Sequence, residues 1–367
     1  MAVNHTPVHG GNVHAAAREL RRPIGSILDF SASINPLGPS PRAVRALRNP
    51  AQLVLHYPDP DCVSLKQAIK DRWHIAANRI VVGNGSTELI DLIPRALSIR
   101  FAVIVGPTYT EYARAVARAG GRTSLILAKQ EEDYRPPLEK VLDRLSRQRR
   151  SRPAIDAVFI CHPNSPTGQT CRPKELQTLL AVADRCGSWV IVDESFIEYC
   201  NRLSCLPQLL SHSRLIILRS FTKFYGLPGL RIGCSMSSPT VAALLRRHQP
   251  PWSVNAVAQR AAEAAISDAG HARRCLAYLQ RERARMSTAL SLLEGLTVIP
   301  SSTNFLLIEL PKPFRSAAIT AKLRRRGLLI RDCSSVEGCT TQTVRVAVRA
   351  RRDNDRLLTA LREMLRR

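Results

Sequence analysis

Ser220-Phe221-Thr222-Lys223-Phe224-Tyr225-Gly226-Leu227-Pro228-Gly229-Leu230-Arg231-Ile232-Gly233 is the stretch on which the reading of this chain turns. A lone lysine in a glycine-bearing loop is ordinarily a solvated side chain. Here a serine stands three residues before Lys223 and an arginine eight residues after it. Upstream, the apolar run Trp189-Val190-Ile191-Val192 ends in Asp193-Glu194. A lysine fixed beside an aldehyde forms a Schiff base, and a buried carboxylate at a strand end pairs with a protonated pyridine nitrogen. A serine and an arginine hold a phosphate. Together these are the demands that pyridoxal phosphate makes on a protein.

Working outward, short apolar runs alternate with amphipathic stretches. Strands are expected at residues 80–82, 101–105, 124–127, 157–161, 190–193 and 215–219. Helices are expected between them at 87–98, 109–119, 138–147 and 173–186. Such alternation predicts an α/β layer around a mostly parallel sheet. A long helical pattern follows over 254–294, then strands at 296–299, 304–310, 328–331 and 344–348, a helix at 316–326 and a terminal helix. This second part reads as a smaller α+β domain. The expected division is an N-terminal arm over 1–40 that belongs partly with the small domain, a large α/β domain over 41–252, and the small domain over 253–367. Residues 147–152, Arg-Gln-Arg-Arg-Ser-Arg, read as an exposed loop.

Composition narrows the function classes. The 367 residues are 45% hydrophobic, ordinary for a globular core. No run approaches the roughly 20 apolar residues that span a bilayer. Met1-Ala2-Val3-Asn4-His5 carries no basic stretch followed by an apolar one, so a cytoplasmic location is expected. The ten cysteines include no Cys-x-x-Cys, the nine histidines no His-Glu-x-x-His, and no metal site is expected. The net charge of +25 points to an anionic partner. Its arginines are spread over several amphipathic stretches, which suits solvated helix faces and a small phosphorylated substrate. Neither nucleic acid nor a membrane is the expected partner.

Gly83-Asn84-Gly85-Ser86-Thr87-Glu88 follows a strand and opens a helix. Glu88 takes the place of the third glycine of a dinucleotide fingerprint, which argues against a Rossmann cofactor. Free N–H groups at the helix start still suit a phosphate.

With these segments in place, the chain resembles the fold type I pyridoxal phosphate enzymes of the histidinol-phosphate aminotransferase-like group. Within that group it is most similar to the threonine-phosphate decarboxylases of cobalamin biosynthesis. The likeness is carried by His9-Gly10-Gly11-Asn12, the run Asp29 to Gly38, Tyr57-Pro58-Asp59, Gly83-Asn84-Gly85, Glu111-Tyr112, Pro163-Asn164-Ser165-Pro166-Thr167-Gly168, Arg219 to Gly233, Pro251-Trp252-Ser253-Val254-Asn255, Leu329-Ile330-Arg331 and Arg345 to Arg349. It implies that Lys223 carries the cofactor, Asp193 meets the pyridinium, and Tyr109 stacks on the ring. Gly85, Ser86, Thr87, Ser220 and Arg231 are implied around the cofactor phosphate. Tyr57 is implied to reach the phosphate of a partner subunit, hence a homodimer. His9, Arg331 and Arg345 are implied for the substrate anion, with Asn35 beside the substrate.

Two departures stand out. Related aminotransferases place Asn immediately before Pro-Thr-Gly, to bond the cofactor's O3′. Here Ser165 holds that place and Asn164 precedes it, so both are candidates. Phe196 stands where the histidinol-phosphate type has Tyr, which favours the decarboxylase. The expected activity is decarboxylation of L-threonine O-3-phosphate to (R)-1-aminopropan-2-yl phosphate. The alternatives are a histidinol-phosphate aminotransferase and a non-catalytic relative that binds nucleic acid.

Overall fold

The structure, a computed structural model, describes residues 9–147 and 154–365. Positions 148–152 of the expected exposed loop lie outside the described residues. Seven strands form the large sheet, in the order Ile80–Gly83, Gly233–Met236, Leu215–Ser220, Trp189–Asp193, Ala157–Cys161, Phe101–Gly106, Arg122–Leu127. All are parallel except Gly233–Met236, which runs antiparallel to both neighbours. The central strands are apolar up to their carboxyl ends because both faces are covered. Every residue of Ala157–Cys161 and Leu215–Ser220 is buried. Chain order reverses beside Phe101–Gly106, whose neighbours are Arg122–Leu127 and Ala157–Cys161. That reversal opens a crevice at the carboxyl ends of the strands, where α/β sheets bind ligands.

The covering helices follow their apolar spacing. In Leu138–Arg147 the buried residues are Leu138, Val141 and Leu145, one face of the helix. Pro173–Cys186 begins with proline at its first turn and ends at Gly187, at φ 72°. Both helices match their expected limits.

Two expectations need correction. The single helical pattern over 254–294 is two helices, Ala256–Ile266 and Ala269–Ser291. Asp268 breaks it: its side chain accepts from His271 N and starts the second helix. The first of these packs on Pro41–Ala46 and Val63–Trp73. The expected strand at 328–331 splits at Ile330. Leu328–Leu329 pairs parallel with Leu28–Asp29, and Arg331–Asp332 joins the small sheet.

That small sheet is antiparallel, in the order Arg331–Asp332, Thr343–Ala347, Phe305–Glu309, Thr297–Ile299. The Leu28–Asp29 pairing ties the N-terminal segment to it. The same segment therefore brings His9 to the mouth of the crevice.

Candidate active site

A cavity of about 300 Å³ occupies the crevice between the two sheets. Asp193 lies at its floor, 4% exposed, at the end of its strand. Its Oδ1 accepts from Ser195 N at 2.9 Å and from Ser195 Oγ at 2.5 Å; its Oδ2 accepts from Tyr112 Oη at 2.7 Å. Burial pushes its carboxyl above the usual range, and the bonds from Ser195 and Tyr112 partly offset this.

Lys223 follows the adjacent strand Leu215–Ser220 and lines the same cavity. Burial, together with the positive fields of Arg345 and Arg231, pushes its ammonium down to about 8. A larger share of the side chain is then the free amine, the form that attacks a carbonyl. Its Nζ lies 5.8 Å from the centroid of the Phe196 ring.

Beside Lys223 the protein forms an anion cradle. The helix Ser86–Ala96 starts without a side-chain cap at Gly85, so its first N–H groups are not taken by a cap. Gly85 has φ 78°, and a Cβ there would stand 2.9 Å from Arg231 Nη2. A Cβ on Gly233 would stand 2.5 Å from Ser86 N. These two glycines leave the guanidinium and the helix start close together. Ser220 Oγ and Thr222 Oγ1, 2.7 Å apart, complete the lining. The residues present fit a phosphate here.

The opposite wall comes from the small sheet. Arg331 and Arg345 face each other directly across an antiparallel pair, and both line the cavity. Like charges opposite one another destabilise a sheet unless an anion lies between them. Arg345 donates from Nη1 to Ser165 Oγ and from Nη2 to Ser31 O, both at 2.8 Å. Its Nε is buried without a partner. The guanidinium lies 4.9 Å from the Phe305 ring centroid, and Phe305 packs edge-on against Phe196. His9 and Tyr109 complete the rim, with ring centroids 5.5 Å apart.

Of the expected residues, His9, Ser86, Thr87, Tyr109, Ser165, Asp193, Ser220, Lys223, Arg231, Arg331 and Arg345 all line one cavity. Gly85, Asn164, Asn35 and Tyr57 are not among the lining residues. Asn164 is buried behind the lining: it accepts from Thr108 Oγ1 and donates to Pro107 O and Thr167 Oγ1. Its amide is fully used in shaping the 163–168 loop. Asn35 is likewise committed, donating to Phe224 O and Cys275 Sγ and accepting from Leu37 N. Asn35 N also donates to Lys223 O, so the residue shapes the lysine loop from behind. Tyr57 is 81% exposed, stacked on Trp252 with centroids 4.8 Å apart, and does not line this chain's cavity.

Sequence reading missed Tyr112 and Ser195. Ser195 had a signal: in Asp-x-Ser the acid accepts from the N–H two residues on, a turn that Asp29 and Ser31 repeat. Tyr112 is fixed by a contact 81 residues away and has no local signal.

The family model for aminotransferase class I and II matches residues 26–363. The chain belongs to the aminotransferase class I and II family. Threonine-phosphate decarboxylase of Salmonella typhimurium is 38% identical over 365 residues, covering 97% of this chain and 96% of that protein. Among solved structures, the histidinol-phosphate aminotransferase of Clostridium acetobutylicum superposes with a TM-score of 0.85 at 26% identity, covering 92% of this chain and 99% of its own. The L-threonine-O-3-phosphate decarboxylase of Porphyromonas gingivalis superposes with a TM-score of 0.77 at 25% identity, over 92% and 99%. The architecture is that of fold type I, as the resemblance implied, and its sheet is mostly parallel, as the alternation of strands and helices predicted.

Proposed function

We propose that the chain is a pyridoxal phosphate-dependent carboxy-lyase that converts L-threonine O-3-phosphate and a proton to (R)-1-aminopropan-2-yl phosphate and carbon dioxide. The observation that carries this is the pair Arg331 and Arg345, opposed across two strands at the cavity wall. Two guanidinium forks suit a phosphate dianion. The 38% identity to a threonine-phosphate decarboxylase supports the same reading, and the sequence resemblance carries its place in cobalamin biosynthesis.

Bound pyridoxal phosphate supplies an aldehyde for the substrate amine and a ring that accepts the electron pair released at Cα. In this reading Ser86, Thr87, Ser220 and Arg231 hold its phosphate, Asp193 faces its ring nitrogen, Tyr109 covers one face, and Ser165 is the hydroxyl nearest the O3′ role. Ser195 and Tyr112 fix both oxygens of Asp193, so its charge is oriented before the reaction begins. Arg331, Arg345 and His9 hold the substrate phosphate at the far wall. That anchor at the far wall would fix how Cα and its carboxylate are presented to the bound cofactor, and so which bond at Cα breaks. Lys223 Nζ then returns a proton to Cα.

A homodimer and a cytoplasmic location belong to the same proposal. Among the described residues no helix is long and apolar enough to cross a membrane. The exposed Tyr57 lies beside exposed Val54, Leu55 and Trp252, an apolar surface suited to a second copy. Mixing Tyr57→Ala with Lys223→Ala chains is expected to restore some activity, through sites that contain both residues intact. Verified mixed dimers without activity would place Tyr57 outside the neighbour's site.

The test of the function uses holoenzyme, L-threonine O-3-phosphate and no 2-oxo acid. Carbon dioxide and the amino alcohol phosphate are expected. Turnover of L-histidinol phosphate that depends on a 2-oxo acid, with no carbon dioxide from threonine phosphate, would assign the aminotransferase instead.

A further inference from the structure

A carboxylate at the cavity mouth has no part in the chemistry above. Glu111 opens the helix Glu111–Arg118, two residues after Tyr109, and is 6% exposed. Its Oε1 accepts from His9 Nε2 at 3.0 Å and from Arg114 Nη1 at 2.8 Å. Arg118 Nη1 stands 3.7 Å from Oε2. Burial alone would push its carboxyl up, but the bonds from His9 and Arg114 outweigh burial and bring it below the usual range. A bare buried anion at this point would repel a phosphate. Here two arginines cover it, and its remaining partner is a residue of the cavity wall.

The arm that carries His9 is fixed at a second point. Gly11 N donates to Ser31 Oγ at 2.8 Å, and Gly10 lies so close that a Cβ would collide with the Ser31 carbonyl. Ser31 O in turn accepts from Arg345. His9 and Arg345 are thus held through one serine as well as through the cavity they share.

The chemistry of the imidazole then decides what His9 offers. A carboxylate only accepts, so Nε2 must carry a hydrogen toward Glu111. When the ring carries both protons, Nε2 serves Glu111 and Nδ1 is left to donate to an oxyanion.

We propose that Glu111 is a positioning residue for phosphate recognition, holding His9 across the cavity mouth so that its other ring nitrogen donates to the substrate phosphate beside Arg331 and Arg345. This rests on the phosphorylated-substrate reading above. It makes discrimination between phosphorylated and unphosphorylated amino acids depend on a residue that does not touch the substrate.

The test compares wild type, Glu111→Gln, His9→Ala and the double variant as holoenzymes. Glu111→Gln is expected to lose about tenfold in kcat/KM on L-threonine O-3-phosphate and less than about twofold on L-threonine. In the His9→Ala background the same change is expected to add less than about twofold, since the two residues act as a unit. Inorganic phosphate is expected to raise the thermal midpoint of wild type more than that of either single variant. Equal losses on the two substrates, or losses that multiply with His9→Ala, would overturn the proposal. If Glu111→Gln does not fold, Glu111→Asp keeps a carboxylate near Arg114 but falls one methylene short of His9. The same phosphate-specific loss is expected of it, and a wild-type profile would overturn the proposal. A wild type that releases no carbon dioxide would refute the decarboxylase reading alone. Phosphate protection would still test Glu111, and equal protection of wild type and Glu111→Gln would count against it.

Discussion

The floor and the far wall of the cavity are built on different plans. At the floor, Asp193, Ser220 and Lys223 come from the ends of two adjacent parallel strands. Asp193 has both oxygens satisfied by Ser195 and Tyr112. Just behind, fully buried Arg219 donates to Glu194 and Glu198 and stacks 4.3 Å from the Trp73 ring centroid, tying the same two strand ends together. At the wall, Arg331 and Arg345 oppose each other and Arg345 Nε is unpartnered. His9 arrives on a separate arm. A satisfied floor presents fixed charges to a resident group. A wall of like charges with spare donors is complete only when an anion is bound. The floor suits a cofactor that stays, and the wall a substrate that comes and goes.

Removing the floor's nucleophile is expected to have the largest effect. Lys223→Ala should abolish turnover, about a thousandfold or more, and with it the covalent adduct fixed by borohydride. A variant that decarboxylates normally would remove Lys223 from the chemistry. At the wall, Arg345→Ala or Arg331→Ala should lose at least about tenfold in kcat/KM on the phosphorylated substrate, one charge-assisted hydrogen bond's worth. Lysine at either position should recover only part, because the charge returns without the fork. Steady-state kinetics separates these cases, and full recovery by lysine would mean that charge alone suffices there.

These differences track what could be read from sequence. The floor was legible because its residues lie within short spans: Asp193 ends an apolar run, and Ser220, Lys223 and Arg231 keep a fixed spacing after another. The wall was named only through resemblance, because strand register sets the opposition of Arg331 and Arg345, and register is not written locally. Asn164 and Asn35 show the reverse case. Both lie in segments that carry the family likeness, yet their amides are consumed by backbone and neighbouring side chains. The long helical pattern over 254–294 hid a break because Ser267 and Asp268 interrupt it without glycine or proline.

Smaller effects sharpen the contrast. Asn164→Ala should cost about 1–3 kcal/mol in urea unfolding, by leaving buried partners unsatisfied, and should change KM less than about twofold. A large rise in KM with unchanged stability would return Asn164 to the cavity. The weakest effect concerns cofactor-free protein. Lys223 is held near 8 when folded against an ordinary 10.5. Between those values the unfolded chain binds a proton that the folded chain does not, so this group raises stability as pH rises through that window. Below about pH 8 the folded protein bears the full cost of a charged Lys223. Lys223→Met apoprotein should therefore be more stable at pH 7, and its stability should climb less between pH 8 and 10. Parallel pH profiles of the two apoproteins would show that Lys223 is not held in this way.

The most direct measurement of the phosphate anchor at the far wall is carbon dioxide release from carboxyl-labelled L-threonine O-3-phosphate and L-threonine by one holoenzyme preparation. The account predicts a much higher kcat/KM for the phosphorylated substrate, with kcat itself raised, because binding energy at the far wall orients the carboxylate at Cα. Equal efficiency on the two substrates would contradict it.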